Sequence, residues 1–445
     1  MKRVLFFLVA ILLVIGAEAQ IIKRIADRTK NKLENKASEK INEGIDKATD
    51  NSKKKSGDKT DTKNKNGKEA EEETSDADKD SEKDSDNAKA TENKPASLSS
   101  YSKFDFIPGE KVVVFANFEK DAIGDFPVNW NTNASGEVVT QNNVEGKWFK
   151  IDKEGTFHPE AFTEIPDNFT LEFDIGVNNE YEYNSSDLGL TLGYLGPDDK
   201  FTDMGMYPHF NTYEGIRMTF HPAHNENGYG YATFYNAFRG NHRIDNKVDV
   251  EDWNPVKGQN FIHFALWRQN ERLRLYANQH KIFDLPKAFD KTAKFNALLF
   301  SSTGMNSKKD YMVINNIRLA VGKPDTRNKL ITEGKFVTRG ILFDVNSDHI
   351  KPESFGVLKD IAGVLNENPT VKITIVGHTD ADGDDAANLD LSKRRAAAVK
   401  QALEKEFNVS GDRMQTDGKG ESQPVDKNDT SEGKANNRRV EFIKN

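Results

Sequence analysis

The sequence predicts a multidomain chain: a disordered, charged N-terminal part, an all-β jelly-roll or sandwich middle domain, and a compact C-terminal α/β domain. Three observations carry this. Charged residues make up 30% of the 445 residues and hydrophobic ones 36%, too few apolar side chains to pack a chain of this length throughout. Between residues 101 and 325 many short segments alternate apolar with polar side chains, separated by Gly, Asn, Asp and Pro. After residue 330 strand-like and helix-like patterns follow one another.

At the N-terminus, Lys2 and Arg3 precede an apolar run from Val4 to Ile15, followed by Ala17, Glu18 and Ala19. This is the pattern of a secretory signal peptide over residues 1–19 with Gln20 as the first mature residue. The apolar run is shorter than the ~20 residues a helix needs to span a bilayer. An exported chain with no cysteine has neither disulfides nor thiolate metal sites nor a lipid-modified cysteine, and relies on its cores. Its 63 basic and 71 acidic residues are interleaved and sum to −8, which excludes the basic face of a nucleic-acid binder.

Residues 20–49 place Ile22, Ile25, Leu33, Ala37, Ile41, Ile45 and Ala48 at mostly helical intervals. The stripe is narrow, and such an amphipathic helix could dock on a partner, pair with its own copy, lie on a membrane surface or stay solvated. Residues 50–100 are dominated by Lys, Asp, Glu, Asn, Ser and Thr and contain no aromatic residue. They cannot offset chain entropy by burial and predict a disordered linker, with an r.m.s. span of roughly 40 Å if flexible.

The middle region, 101–325, reads as strands at KVVVFANF, EVVT, KWFKI, FTLEFDIGV, LGLTLGYL, GIRMTFH, GYATFYN, FIHFALWRQ, RLRLYAN, HKIFDL, NALLFSS and YMVINNIRLA. So many short strands with no long helical pattern between them predict an antiparallel β-sandwich. The competing architecture, a transmembrane barrel, needs an uncharged lipid-facing band; segments such as RLRLYANQHK lack one.

In the last region, 330–445, GILFDV is expected as a strand. A helix follows with Phe355, Leu358, Ile361, Ala362 and Leu365 on one face, then a strand with Val371, Ile373 and Ile375 alternating. A second helix through Ala396, Val399 and Leu403 leads to the closing strand RRVEFI.

The turn between this second strand and second helix, within GHTDADGDDAANLDLSKRRAAAV, concentrates charge. A calcium loop starting at Asp380 fails, because glycine then falls at position four instead of six and Leu391 takes the place of the bidentate glutamate. His378 has no serine, cysteine or zinc-ligand partner at a working spacing, so a packed histidine is expected, with no metal or cofactor. Asp380 at the strand end and Arg395 one turn inside the helix can fold to one rim. There they would suit an ammonium and a carboxylate on an amino-acid-like group; capping the helix or pairing with each other is the equal alternative.

Two further patterns bear on catalysis. Glu172 and Asp174 begin an E-x-D strand of the kind that supplies paired carboxylates about 5 Å apart in glycan hydrolases. Gly176 and Val177, however, stand where the second glutamate belongs. His221 and His224 have H-x-x-H spacing without a third ligand.

The charged turn, with ILFDVNSDHIKPES before it and GKGESQPVDKNDTSEGKANNRRVEF after it, closely resembles the OmpA-like peptidoglycan-binding domain. Phe343, Gly377, His378, Thr379, Asp380, Gly383, Asn388, Leu391, Ser392, Arg395, Gly418, Gly420, Asn437 and Arg438 fall in that family's order. Lys434 stands where arginine is usual. The resemblance implies that Asp380 and Arg395 grip the free amino-acid end of diaminopimelate in the peptidoglycan stem peptide, with Asn346, Thr379, Asn388, Leu391 and Arg438 lining the site. It also implies a non-enzymatic anchor in the periplasm or at the outer membrane. The middle region is similar in pattern to laminin-G and concanavalin-like domains, which implies a surface for a glycan or an envelope protein; a wall-targeted glycan hydrolase is the alternative.

Overall fold

In a computed structural model of the chain, residues 104–205, 215–238, 241–304, 309–322 and 325–445 are described. The expected signal peptide, amphipathic helix and linker lie outside the described residues.

Alternation of apolar side chains builds two antiparallel sheets between residues 111 and 321. Among the described residues the larger has eight strands. Their spatial order is His280–Leu285, Arg272–Ala277, Phe261–Gln269, Asn168–Val177, Met312–Val321, Lys147–Ile151 and Glu137–Thr140, with Lys111–Ala116 also paired to Met312–Val321. The smaller sheet has seven, ordered Asn241–Val250, Gly230–Phe238, Gly215–His221, Leu188–Gly193, Ala297–Ser302, Gly155–Pro159 and Trp130–Thr132.

Strand Asn168–Val177 shows why they face each other. Phe169, Leu171, Phe173 and Ile175 enter a core cluster that also contains Leu190, Phe220 and Phe300 of the smaller sheet, while Thr170, Glu172 and Asp174 point the other way. Phe173 meets Phe220 and Phe300 at 5.7 and 6.1 Å between ring centroids. Both sheets are open and turn their apolar sides inward, unlike a barrel with an apolar exterior.

Every strand segment expected in this region is a strand. The sequence reading missed Trp130–Thr132 and Gly155–Pro159, which are short, and Asn241–Val250, whose NHRIDNKVDV is mostly polar.

The C-terminal region folds as a four-stranded sheet ordered Lys335–Thr338, Val440–Lys444, Ile373–Gly377 and Met414–Gly418. Helices Phe355–Glu367 and Asp385–Phe407 contribute Leu358, Ile361, Leu365, Ala396, Val399 and Leu403 to its core.

Two expectations are corrected. GILFDV is not a strand: it keeps one isolated bridge, Phe343 to Ile350, because the chain turns at Asp344–Ser347, where Asn346 takes a left-handed φ of 53°. The first strand is Lys335–Thr338 instead. Phe355 is 42% exposed rather than in the core; it sits at the helix start and packs on Phe407 at 5.1 Å. Strand Met414–Gly418 and helix Ser431–Asn437 were not foreseen.

Residues 96–445 form one compact unit, so the C-terminal region sits firmly on the outward face of the larger sheet. Asn436 accepts from Val112 N at 3.0 Å and donates to Val112 O at 2.9 Å. Arg318 donates to the Arg339 carbonyl at 3.1 Å, and Arg339 itself donates to the Glu110 carbonyl.

Candidate binding cleft

Between that outward face and the C-terminal loops lies a cleft of about 950 Å³. Its C-terminal wall is built from three pieces of chain. Strand Ile373–Gly377 ends in His378, Thr379 and Asp380, all buried. The backbone is fixed there, since His378 N donates to the Arg439 carbonyl and Thr379 N to the Gly420 carbonyl, both at 3.0 Å. Helix Asp385–Phe407 is started by Asp384, whose carboxylate accepts from Ala386 N and Ala387 N. The third piece is the Asp344–Ser347 turn.

Asn346, Thr379, Asp380, Asn388, Leu391, Arg395 and Arg438, the whole site expected from sequence, line this one cleft. Asp380 and Arg395 share a rim and are not each other's direct partners, but the helix already starts at Asp385, so Arg395 stands in its third turn and not one turn inside it. Asp380 forms an ion pair with Arg438 and accepts from Asp382 N at 3.2 Å. That uses about half of the roughly four acceptor positions of a carboxylate.

Arg395 lies over the Phe343 ring at 4.8 Å and donates to the carbonyls of Ser347 at 2.9 Å and Asp344 at 3.3 Å. Burial and the neighbouring Arg438 push its pKa down to about 10, against the pull of Asp380; it stays cationic at neutral pH. Asn388 is held by the Asp382 carbonyl at 3.0 Å and Glu421 at 2.6 Å. Lys434 binds both oxygens of Asp382 at 2.6 and 2.7 Å, so lysine does serve as the cation at this position. Thr379 Oγ1 is buried and has no hydrogen-bond partner.

His378, at the back of the cleft, is a packed residue. It is buried 3.5 Å from Glu441. Burial would raise the Glu441 pKa, but His378, Lys335 and Arg439 outweigh it and hold the carboxyl well below the usual carboxylate range. His221 is also a packed residue, its Nδ1 2.7 Å from the Pro222 carbonyl and its ring stacked on Tyr231 at 5.3 Å. Among the described residues no group of three His, Cys, Asp or Glu side chains could hold a metal.

The OmpA family profile matches residues 342–438. Residues 342–438 are an OmpA-family domain. The chain is 44% identical over 101 residues to outer membrane porin F of Pseudomonas aeruginosa, covering 23% of this chain and 29% of that one. It is 36% identical over 127 residues to the probable lipoprotein YiaD of Escherichia coli, covering 26% and 58%. It is 37% identical over 110 residues to the peptidoglycan-binding protein ArfA of Mycobacterium bovis, covering 24% and 33%.

The chain therefore spans between 29% and 58% of the length of these curated relatives. Among solved structures, the peptidoglycan-associated lipoprotein of Burkholderia pseudomallei matches at 26% identity and a TM-score of 0.24, over 27% of this chain and 98% of that one.

The opposite wall of the cleft was not foreseen as part of the site. It is the outward face of the larger sheet, and it carries Glu172, Asp174, His263, Asn315, Asn316 and Arg318. The E-x-D spacing singles out Glu172 and Asp174 only as an incomplete hydrolase pattern; no sequence signal ties them to a domain more than 150 residues away.

Proposed function

We propose that the C-terminal domain binds peptidoglycan non-covalently, holding the diaminopimelate end of a stem peptide between Asp380 and Arg395. The observation that supports this is the placing of one buried carboxylate and two guanidiniums, Arg395 and Arg438, around one rim with their backbone anchors fixed. The ligand's ammonium would take the remaining acceptor positions of Asp380 and its carboxylate would face Arg395. Thr379, Asn388, Asn346, Leu391 and Arg438 would complete the lining. Charge-assisted contacts contribute about 1.5–3 kcal/mol each, enough with a few neutral hydrogen bonds for micromolar affinity, and a polymeric wall adds avidity.

On this reading the protein is an exported envelope anchor of the periplasm or outer membrane. Its two-sheet region is a β-sandwich of the laminin-G or concanavalin-like kind, presenting a surface to a glycan or an envelope protein. The hydrolase alternative is disfavoured by the engagement of both candidate carboxylates. Glu172 is ion-paired with Arg318 at 3.0 Å, and Asp174 is bound by His263 and Asn316, each at 2.6 Å.

Pull-down with purified peptidoglycan tests the proposal. Asp380→Ala and Arg395→Ala should each reduce retention at least tenfold while leaving the melting profile close to wild type. Unchanged retention by both variants would sink it.

A further inference from the structure

The cleft exceeds what the end of one amino acid requires. At about 950 Å³ it is near the top of the ~300–1,000 Å³ range that encloses whole drug-sized ligands. One wall of it comes from the larger sheet, and that wall is built for a ligand of its own.

Simple alternation along Met312–Val321 would send only one of Asn315 and Asn316 outward. The register instead shifts between Asn315 and Arg318, and Asn316 takes a left-handed φ of 52°. Ile314 and Ile317 both reach the core, while the two amides between them line the cleft. A bulge of this kind re-aims side chains.

The charges around these amides compensate one another: Arg318 with Glu172, and His263 and Asn316 with Asp174. Asn315 is different. It is 3% exposed, and its Oδ1 has no hydrogen-bond partner. A buried carbonyl left in this state is unfavourable until an N–H or O–H meets it. On the same wall Phe261 is half-buried, its ring 5.2 Å from that of the buried Trp148, and its exposed part adds apolar surface that suits the C–H face of a sugar ring. Paired charges around an unmet acceptor, with an aromatic flank, fit an uncharged polar ligand.

We propose that this wall is a second subsite, taking an N-acetylated hexosamine of the glycan strand whose stem peptide is held at Asp380 and Arg395. The acetamido N–H or a ring hydroxyl would meet Asn315 Oδ1. The proposal rests on the peptidoglycan reading above and extends it to the opposite side of the cleft.

Calorimetry on the full chain tests it with three probes: the alanyl-glutamyl-diaminopimelate tripeptide, the same tripeptide joined to its N-acetylglucosaminyl-N-acetylmuramyl disaccharide, and that disaccharide alone. Wild type should bind the disaccharide-tripeptide at least tenfold tighter than the tripeptide. Asn315→Ala should erase that difference and leave tripeptide affinity unchanged, which also reports an intact fold. Equal affinities for the two peptides in wild type, or a preference that survives Asn315→Ala, would overturn the subsite.

If Asn315→Ala weakens both ligands together, saturation-transfer NMR on wild type decides. Saturated acetyl methyls support the subsite, and saturation confined to the diaminopimelate side chain refutes it. A tripeptide that fails to bind wild type defeats the Asp380–Arg395 reading instead. The disaccharide alone then tests the wall: binding that Asn315→Ala removes supports it, and no binding overturns it.

Discussion

His263 sets the most readable pH dependence among the single residues. Burial works to lower its pKa, but the hydrogen bond to Asp174 and the charges of Asp174, Glu172 and Glu353 raise it to about 9. Because the folded value lies above the ordinary value of 6.5, the stabilisation is fully present below that value and is lost as pH rises through 9. The shift corresponds to about 3 kcal/mol. The stability gap between wild type and His263→Gln in urea titrations should therefore narrow by that order between about pH 6 and pH 10; a gap independent of pH would refute the pairing. Legibility differs sharply at this scale. Asp380 and Arg395 could be read from one strand-turn-helix segment, whereas Asn315 depends on a register shift that neither its neighbours nor its hydropathy announce.

Among the elements, helix Asp385–Phe407 is the one that positions the charged rim, and two glycines let it approach the sheet. Gly377 and Gly418 are opposite each other in the parallel strand pair. A Cβ on Gly377 would lie 2.2 Å from the Ser392 carbonyl oxygen, and one on Gly418 would lie 2.4 Å from Lys393 N. Gly377→Ala should cost about 1–3 kcal/mol by forcing strand and helix apart, and it should weaken wall binding because Asp380 and Arg395 ride on the two displaced elements. Thermal melts and pull-down would show both effects; loss of stability with full binding would mean the rim does not depend on this packing. Asp384→Ala removes the helix cap and should cost about 1 kcal/mol. The helices were legible from their apolar spacing. Strand Met414–Gly418 was not, because MQTDG buries only its first and last residues and its pairing with Ile373–Gly377 is a matter of topology.

At the level of the whole molecule, the sequence divides the chain near residues 325–330, yet the described parts are joined through contacts distant in sequence. Asn436 clamps both backbone groups of Val112, and Asn436→Ala would leave them unsatisfied. Each such loss costs about 1–3 kcal/mol, so the variant should melt earlier, with the C-terminal domain separating from the two-sheet region. A scanning calorimetry trace as cooperative and as high-melting as wild type would contradict this. The same junction bears on mechanics. Lys111 lies opposite Val321 in an antiparallel pair, so the polypeptide enters and leaves the two-sheet region side by side. Tension between the wall and the N-terminal end of the chain would meet hydrogen bonds perpendicular to the strands, opening them singly like a zip. The remaining strands would hang beside the line of force, and this one seam would part once Phe104 and Phe106 had been lifted off Tyr276.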